Sequence, residues 1–167
     1  VNLFTLSSIY QGTRALLSKN PKDNVTSEEE ALALEYWEEV GKTIPDWKLA
    51  SEKKIRSSEL RRDYIHAHGV ALLALGMLGA DLLEKYPANW KPRLKKLSNV
   101  DWSRNNTSFW EGRAMVNGKI SKAHNNVILA VNALKGVVGL PLNKKQQDVE
   151  NGFIKKSSKK KSKKRTS

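Results

Sequence analysis

The sequence predicts an all-α fold, a helical bundle around one long central helix, with one short β-hairpin near residues 114–120. Three observations lead there. Apolar residues recur at helical spacing in successive stretches of the chain. Capping residues, prolines and glycines bracket those stretches. Asn117-Gly118 stands between Met115-Val116 and Lys119-Ile120, and a two-residue hairpin turn needs the positive φ that Asn-Gly tolerates best.

Taken in order, Leu3 to Leu17 reads as a helix through Leu3, Leu6, Ile9, Tyr10, Leu16 and Leu17, stopped by Asn20-Pro21. Ser27 opens the second helix, with Glu30 three residues on as the reciprocal cap and Glu28 to Glu30 favouring the positive helix end. Its expected buried stripe is Leu32, Leu34, Tyr36, Trp37 and Val40; Gly41 and Pro45 mark its end. A short helical turn over Asp46–Lys54 holds Trp47. The long central helix is expected from Ser58 to Tyr86, polar at first and then apolar on every side, as suits an element surrounded by others. Gly69, Gly76, Gly79 and Ala80 fit close backbone approach there. A short helix follows over Asn89–Leu97. After the hairpin, Ser121 is the expected cap of a helix reaching Val138, ended by Gly139 and Pro141. Asn143 caps a last short helix through Val149. Residues 1–152 then form one helical domain, and 153–167 a disordered basic tail too polar to bury anything.

Composition narrows the function classes. The absence of cysteine excludes disulfides, thiolate metal sites and cysteine nucleophiles. The longest apolar run, Gly69 to Leu83, falls short of the roughly 20 residues a spanning helix needs, and no basic region precedes an apolar stretch at the N-terminus. A cytoplasmic location without membrane contact is expected. The chain opens on valine rather than methionine, which reads as a fragment or a processed chain. The net charge is +13. Eight of those charges are Lys155, Lys156, Lys159, Lys160, Lys161, Lys163, Lys164 and Arg165, which leaves +5 for residues 1–154. Such a tail either meets a polyanion or keeps the chain in solution, and both readings stand.

The densest stretch is Asp101 to Asn126, with Trp102, Trp110, Arg104, Arg113, Lys119 and Lys122. The four cations, together with those of the tail, are the candidate nucleic-acid contacts. Alternatively, Arg104 and Arg113 pair with Asp101 and Glu111 and pin the loop. The tryptophans either stack on bases or fill the core. His66 and His68 diverge by about 200° on a helix, which does not suit a metal pair. No phosphate-binding glycine loop is present, and Ser51 with Lys54 matches a nucleophile pattern too short to carry weight. Neither catalysis nor a cofactor is expected.

Four blocks carry a resemblance: LFTLSSIYQGTRALL, EYWEEVGKTIPDW, LRRDYIHAHGVALLALGMLG and DWSRNNTSFWEGRAMVNGKISKAHNNVILAVNALKGVVGLPL. In order and spacing they resemble the C-terminal helical part of the DndB / DGQHR-domain family, associated with DNA phosphorothioate modification. The Asp-Gly-Gln-His-Arg signature of that family is not in this chain. The resemblance implies a regulator that binds double-stranded DNA near the promoter of the modification genes and contacts other proteins of the system. It transfers no site residue. The competing expectation is a protein-interaction module docking on an acidic partner of the modification complex.

Overall fold

The computed structural model describes the backbone of residues 2–165 and the side chains of residues 2–158. The fold is helical with one two-stranded antiparallel sheet. Helix α1 (Leu6–Leu17) starts at Thr5, whose hydroxyl accepts from the Ser8 amide at 3.2 Å. Helix α2 (Ser27–Thr43) is capped one residue earlier than Ser27 and Glu30 suggest. Thr26 has the extended backbone of a cap, its hydroxyl accepts from the Glu29 amide, and the Glu29 carboxylate accepts from the Thr26 amide. The buried face of α2 is Ala33, Tyr36, Val40 and Thr43. Leu34 is 61% exposed, because it lies two residues from Tyr36 and so nearly opposite it around the helix. Pro45 opens α3 (Pro45–Ser51) rather than merely ending α2.

The expected long helix is broken. Helix α4 (Ser57–Asp63) and α5 (Gly69–Lys85) are separated by Tyr64 and His68, both extended, around a tight turn at Ile65–Ala67. The backbone there leaves its helical partners for another segment. Tyr64 bridges Ser103, the Ile65 amide donates to the Trp102 carbonyl at 2.9 Å, and the Arg104 amide donates to the Asp63 carbonyl at 2.9 Å. Apolar spacing continues through the break, so periodicity alone could not reveal it.

Helix α5 remains the centre of the core, with Val70, Leu72, Leu75, Leu78 and Leu82 buried. Helix α1 packs along it in parallel: Ser8 lies beside Gly69, Leu72 beside Gly12, and Leu16 beside Gly79. A Cβ on Gly76 would overlap the Gly12 carbonyl oxygen, so glycine there sets how closely the two backbones meet. The Tyr36 hydroxyl donates to the Leu75 carbonyl at 2.6 Å and ties α2 to the same helix. Helix α6 (Trp90–Leu94) and the tight turn Lys95–Asn99 cover the side with Trp90, Leu94 and Leu97.

After the short α7 (Thr107–Trp110), strands β1 (Met115–Val116) and β2 (Lys119–Ile120) pair as expected, Met115 with Ile120 and Val116 with Lys119. Asn117 and Gly118 both take positive φ, 52° and 71°. Helix α8 (His124–Val138) starts at Ala123 without a side-chain cap. Ser121 is not its cap; its hydroxyl donates to the Asn126 side chain at 3.0 Å. Gly139 ends α8 at φ 75°, as the sequence indicates.

Helix α9 (Lys144–Arg165) opens on the reciprocal pair Asn143 and Gln146. It does not stop at Val149, the end the sequence suggests, but is helical over Lys144–Arg165. Its first half is held by the bundle. The Asn132 amide donates to the Gln146 carbonyl and the Glu150 carboxylate, and Phe153 lies against Gly112. That docking supplies the tertiary contacts a polar helix needs to form.

Candidate nucleic-acid interface

The structure separates the four loop cations that the sequence groups together. Arg113 faces inward. Its guanidinium donates to both Glu150 oxygens, at 2.6 and 3.0 Å, and to the Leu129 carbonyl at 2.9 Å, while lying 4.7 Å from the Phe153 ring centre. Burial works to raise the Glu150 pKa, but hydrogen bonds from Arg113 and Asn132 outweigh it and hold the carboxylate below its usual range. Arg113 is thus satisfied within the fold.

Arg104 is half-buried and bonds to carbonyls rather than a carboxylate, donating to Arg62 at 3.1 Å and to Gly118 at 2.7 Å. After the hydrogen bond from Arg62, the Arg104 charge helps hold the nearby Asp63 carboxyl below its usual pKa. Neither Asp101 nor Glu111 is its partner. Asp101 accepts from the Ser103 amide, and Glu111 accepts from the amides of Asn117 and Gly118. Lys119 and Lys122 are exposed and have no ion-pair partner among the described residues.

Trp102 and Trp110 belong to the core. They stack at 5.1 Å and 23°, both buried, and the Trp110 indole donates to the Asp101 carbonyl at 2.9 Å. They present no face for a base.

One end of the bundle gathers features that the sequence does not bring together. Helices α1, α5 and α8 run parallel: Ser8, Gly69 and Val127 border one cavity, while farther along Lys135 of α8 meets Asp81 of α5. Three helix starts therefore point the same way, and none has an acidic residue in its first turn. Each carries a partial positive charge. Helix α2, with Glu28, Glu29 and Glu30 in its first turn, is the opposite case. The side chains of Thr5, Ser7, Ser8, Gln11 and Lys122 surround the cavity, with Val70, Leu73 and Val127 as its apolar part.

His68 registers the local field. Burial first, then the charges of Arg104, Arg61 and Lys122, push its pKa below the usual value, against the bond from its Nε2 to the Arg61 carbonyl at 2.8 Å. Arg61 donates to the Asn2 and Leu3 carbonyls and has no carboxylate partner among the described residues. Arg61 and His68 carry no motif, and only the break before α5 places them here.

Helix α9 runs antiparallel to α8, since Gln146 lies beside Lys135 and Asn132, and Phe153 beside Gly112. Its basic half therefore extends toward the cationic end, with Lys155 and Lys156 exposed. The side chains of Lys159, Lys160, Lys161, Lys163, Lys164 and Arg165 lie outside the described residues.

A family model described as DndB, DNA-sulfur modification-associated, matches residues 1–141. The chain belongs to the DndB family. The match takes in Arg104, Arg113, Lys119 and Lys122 and ends before α9. Comparison with curated proteins and with solved structures finds no match. Among the described residues, no helix of this DndB-family chain is long and apolar enough to cross a membrane.

Proposed function

We propose that this chain is a DNA-binding regulatory module of a DNA phosphorothioate-modification system, acting as a transcriptional regulator of the modification genes. The observation that carries this reading is the end of the bundle where three parallel helices start without an acidic residue in the first turn, with Lys122 beside Gly69 and free of an ion-pair partner among the described residues. A field of one sign on one face attracts a polyanion and raises its local concentration. Membership of a DNA-sulfur modification-associated family makes DNA the fitting polyanion. In this reading Lys155, Lys156 and the rest of the basic stretch to Arg165 add affinity that is independent of sequence, by displacing counterions from phosphates. Any sequence discrimination falls to the folded part.

A salt titration tests this, comparing promoter duplex with scrambled duplex, for the full chain and for one ending at Ile154. Binding should weaken linearly in log affinity against log salt, by about 0.9 for each phosphate neutralised. Removal of the basic stretch should flatten that slope for both duplexes and leave their affinity ratio unchanged. A chain that ignores both duplexes at low salt overturns the proposal. Capture of an acidic modification protein that survives nuclease treatment would then favour the docking-module alternative.

A further inference from the structure

We infer that the cavity bordered by Thr5, Ser7, Ser8, Gln11 and Lys122 seats one backbone phosphate of DNA. This deepens the DNA-binding reading and rests on it. The cavity has a volume of about 210 Å3 and opens to solvent at the cationic end of the bundle. Its polar lining is three hydroxyls, a carboxamide and an ammonium; no carboxylate and no aromatic ring lines it. That donor set suits a compact anion with several acceptor oxygens, not a flat base, which needs a ring to stack on.

Gly69 brings the donors together. A Cβ at this position would lie 2.7 Å from the Ser8 hydroxyl oxygen and 3.8 Å from the Lys122 ammonium. A side chain there would push into the space these groups share. Lys122 has no ion-pair partner among the described residues, so its ammonium is not already spent on a carboxylate. Arg61 and Arg104 act on His68, the residue before Gly69, together with Lys122. The field that favours an anion therefore comes from side chains as well as from the helix ends, and the cavity gives it a shape.

Valine and leucine side chains, Val70, Leu73 and Val127, form the rest of the lining. They keep competing water from part of the surface and strengthen the charge interaction. The tetrahedral group of a phosphodiester has two free oxygens, one for Lys122 and one for the Ser7 hydroxyl. That hydroxyl accepts from the Gln11 side-chain amide at 3.2 Å and so keeps its own proton to donate, while Ser8 and Thr5 share a hydrogen bond at 2.9 Å.

Two variants test the assignment in the full chain. Ser7→Asp places a carboxylate on the cavity wall, in the first turn of α1, where negative charge favours the helix. Lys122→Gln removes the exposed ammonium. Each should weaken binding of a short duplex about tenfold with no loss of thermal stability, and Lys122→Gln should lower the salt slope by about 1. In amide NMR spectra, the duplex and inorganic phosphate should both move the signals of Ser8, Gly69 and Val70, and Lys122→Gln should suppress those shifts. If the duplex binds both variants as it binds the native chain, or binds without moving those amides, the assignment is overturned and the DNA-binding reading survives. If phosphate moves the amides while no duplex binds, DNA is removed as the source of the anion, and both readings fail.

Discussion

Along the α8–α9 seam, Arg113 meets Glu150, and Lys135, only 3% exposed, meets Asp81 and the Gln146 side chain. At the cationic end, Arg104 bonds to carbonyls, and Lys119 and Lys122 have no carboxylate partner among the described residues. The two regions draw on the same residue types. In the seam the charges are neutralised where they sit and hold a polar helix to the bundle. At the end, Lys119 and Lys122 have no such neutralising partner among the described residues, which is what the proposed DNA contact draws on. Charge counts cannot separate these uses; pairing does.

Four experiments would break or sharpen this contrast. The largest effect is expected from Gly76→Ala, whose methyl would collide with the Gly12 carbonyl and force α1 from α5. Overpacking against backbone should cost about 3 kcal/mol in denaturant unfolding. It should also weaken duplex binding in the molecules that remain folded, because α1 and α5 wall the cationic cavity.

Glu150→Ala should cost about 2 kcal/mol, measured in the same way, since it strands a largely buried guanidinium that keeps only some solvent access. Its effect on Lys122-dependent binding should be small. An equal loss in both measurements would show that seam and end are not separable.

Acid should act more gently. His66 is held below its usual pKa chiefly by burial, despite Asp46 at 3.0 Å, and His68 is lowered in the same direction. The folded state therefore binds fewer protons than the unfolded state, in which histidine titrates near about 6.5. Stability should hold above that pH and fall as pH drops from about 6.5 toward the lower folded values. Thermal melts from about pH 7 to about pH 5 should show this, and His68→Gln should remove part of the acid sensitivity.

The smallest effect is expected from Lys119→Ala, with unchanged melting and duplex binding reduced a few-fold, because in the proposed interface this exposed lysine would be one phosphate contact among several.

Much of the fold was legible because local chemistry decides it. Asn117-Gly118 names its own turn, Gly139 its own helix end, and Asn143 with Gln146 its own cap. What stayed hidden is non-local. The break at Tyr64–His68 exists because residues 102–104 supply backbone partners, and no spacing within 58–86 encodes that. The length of α9 depends on contacts from Asn132, Arg113 and Gly112, all distant in sequence. Of the candidate site, Lys119 and Lys122 could be picked out as cations of the hairpin segment, but Ser7, Ser8, Gln11 and Arg61 could not. Only the parallel packing of α1 on α5 and the break before Gly69 bring them beside Lys122.

The hairpin tip has a self-contained consequence. Successive backbone N–H groups in a tight left-handed turn form a small nest that captures anions. Here both N–H groups of Asn117 and Gly118 already hold the Glu111 carboxylate, with the Gly118 bond at 3.2 Å. The protein has filled this receptor with its own carboxylate, so the two N–H groups of the tip are already occupied and the turn is braced from within.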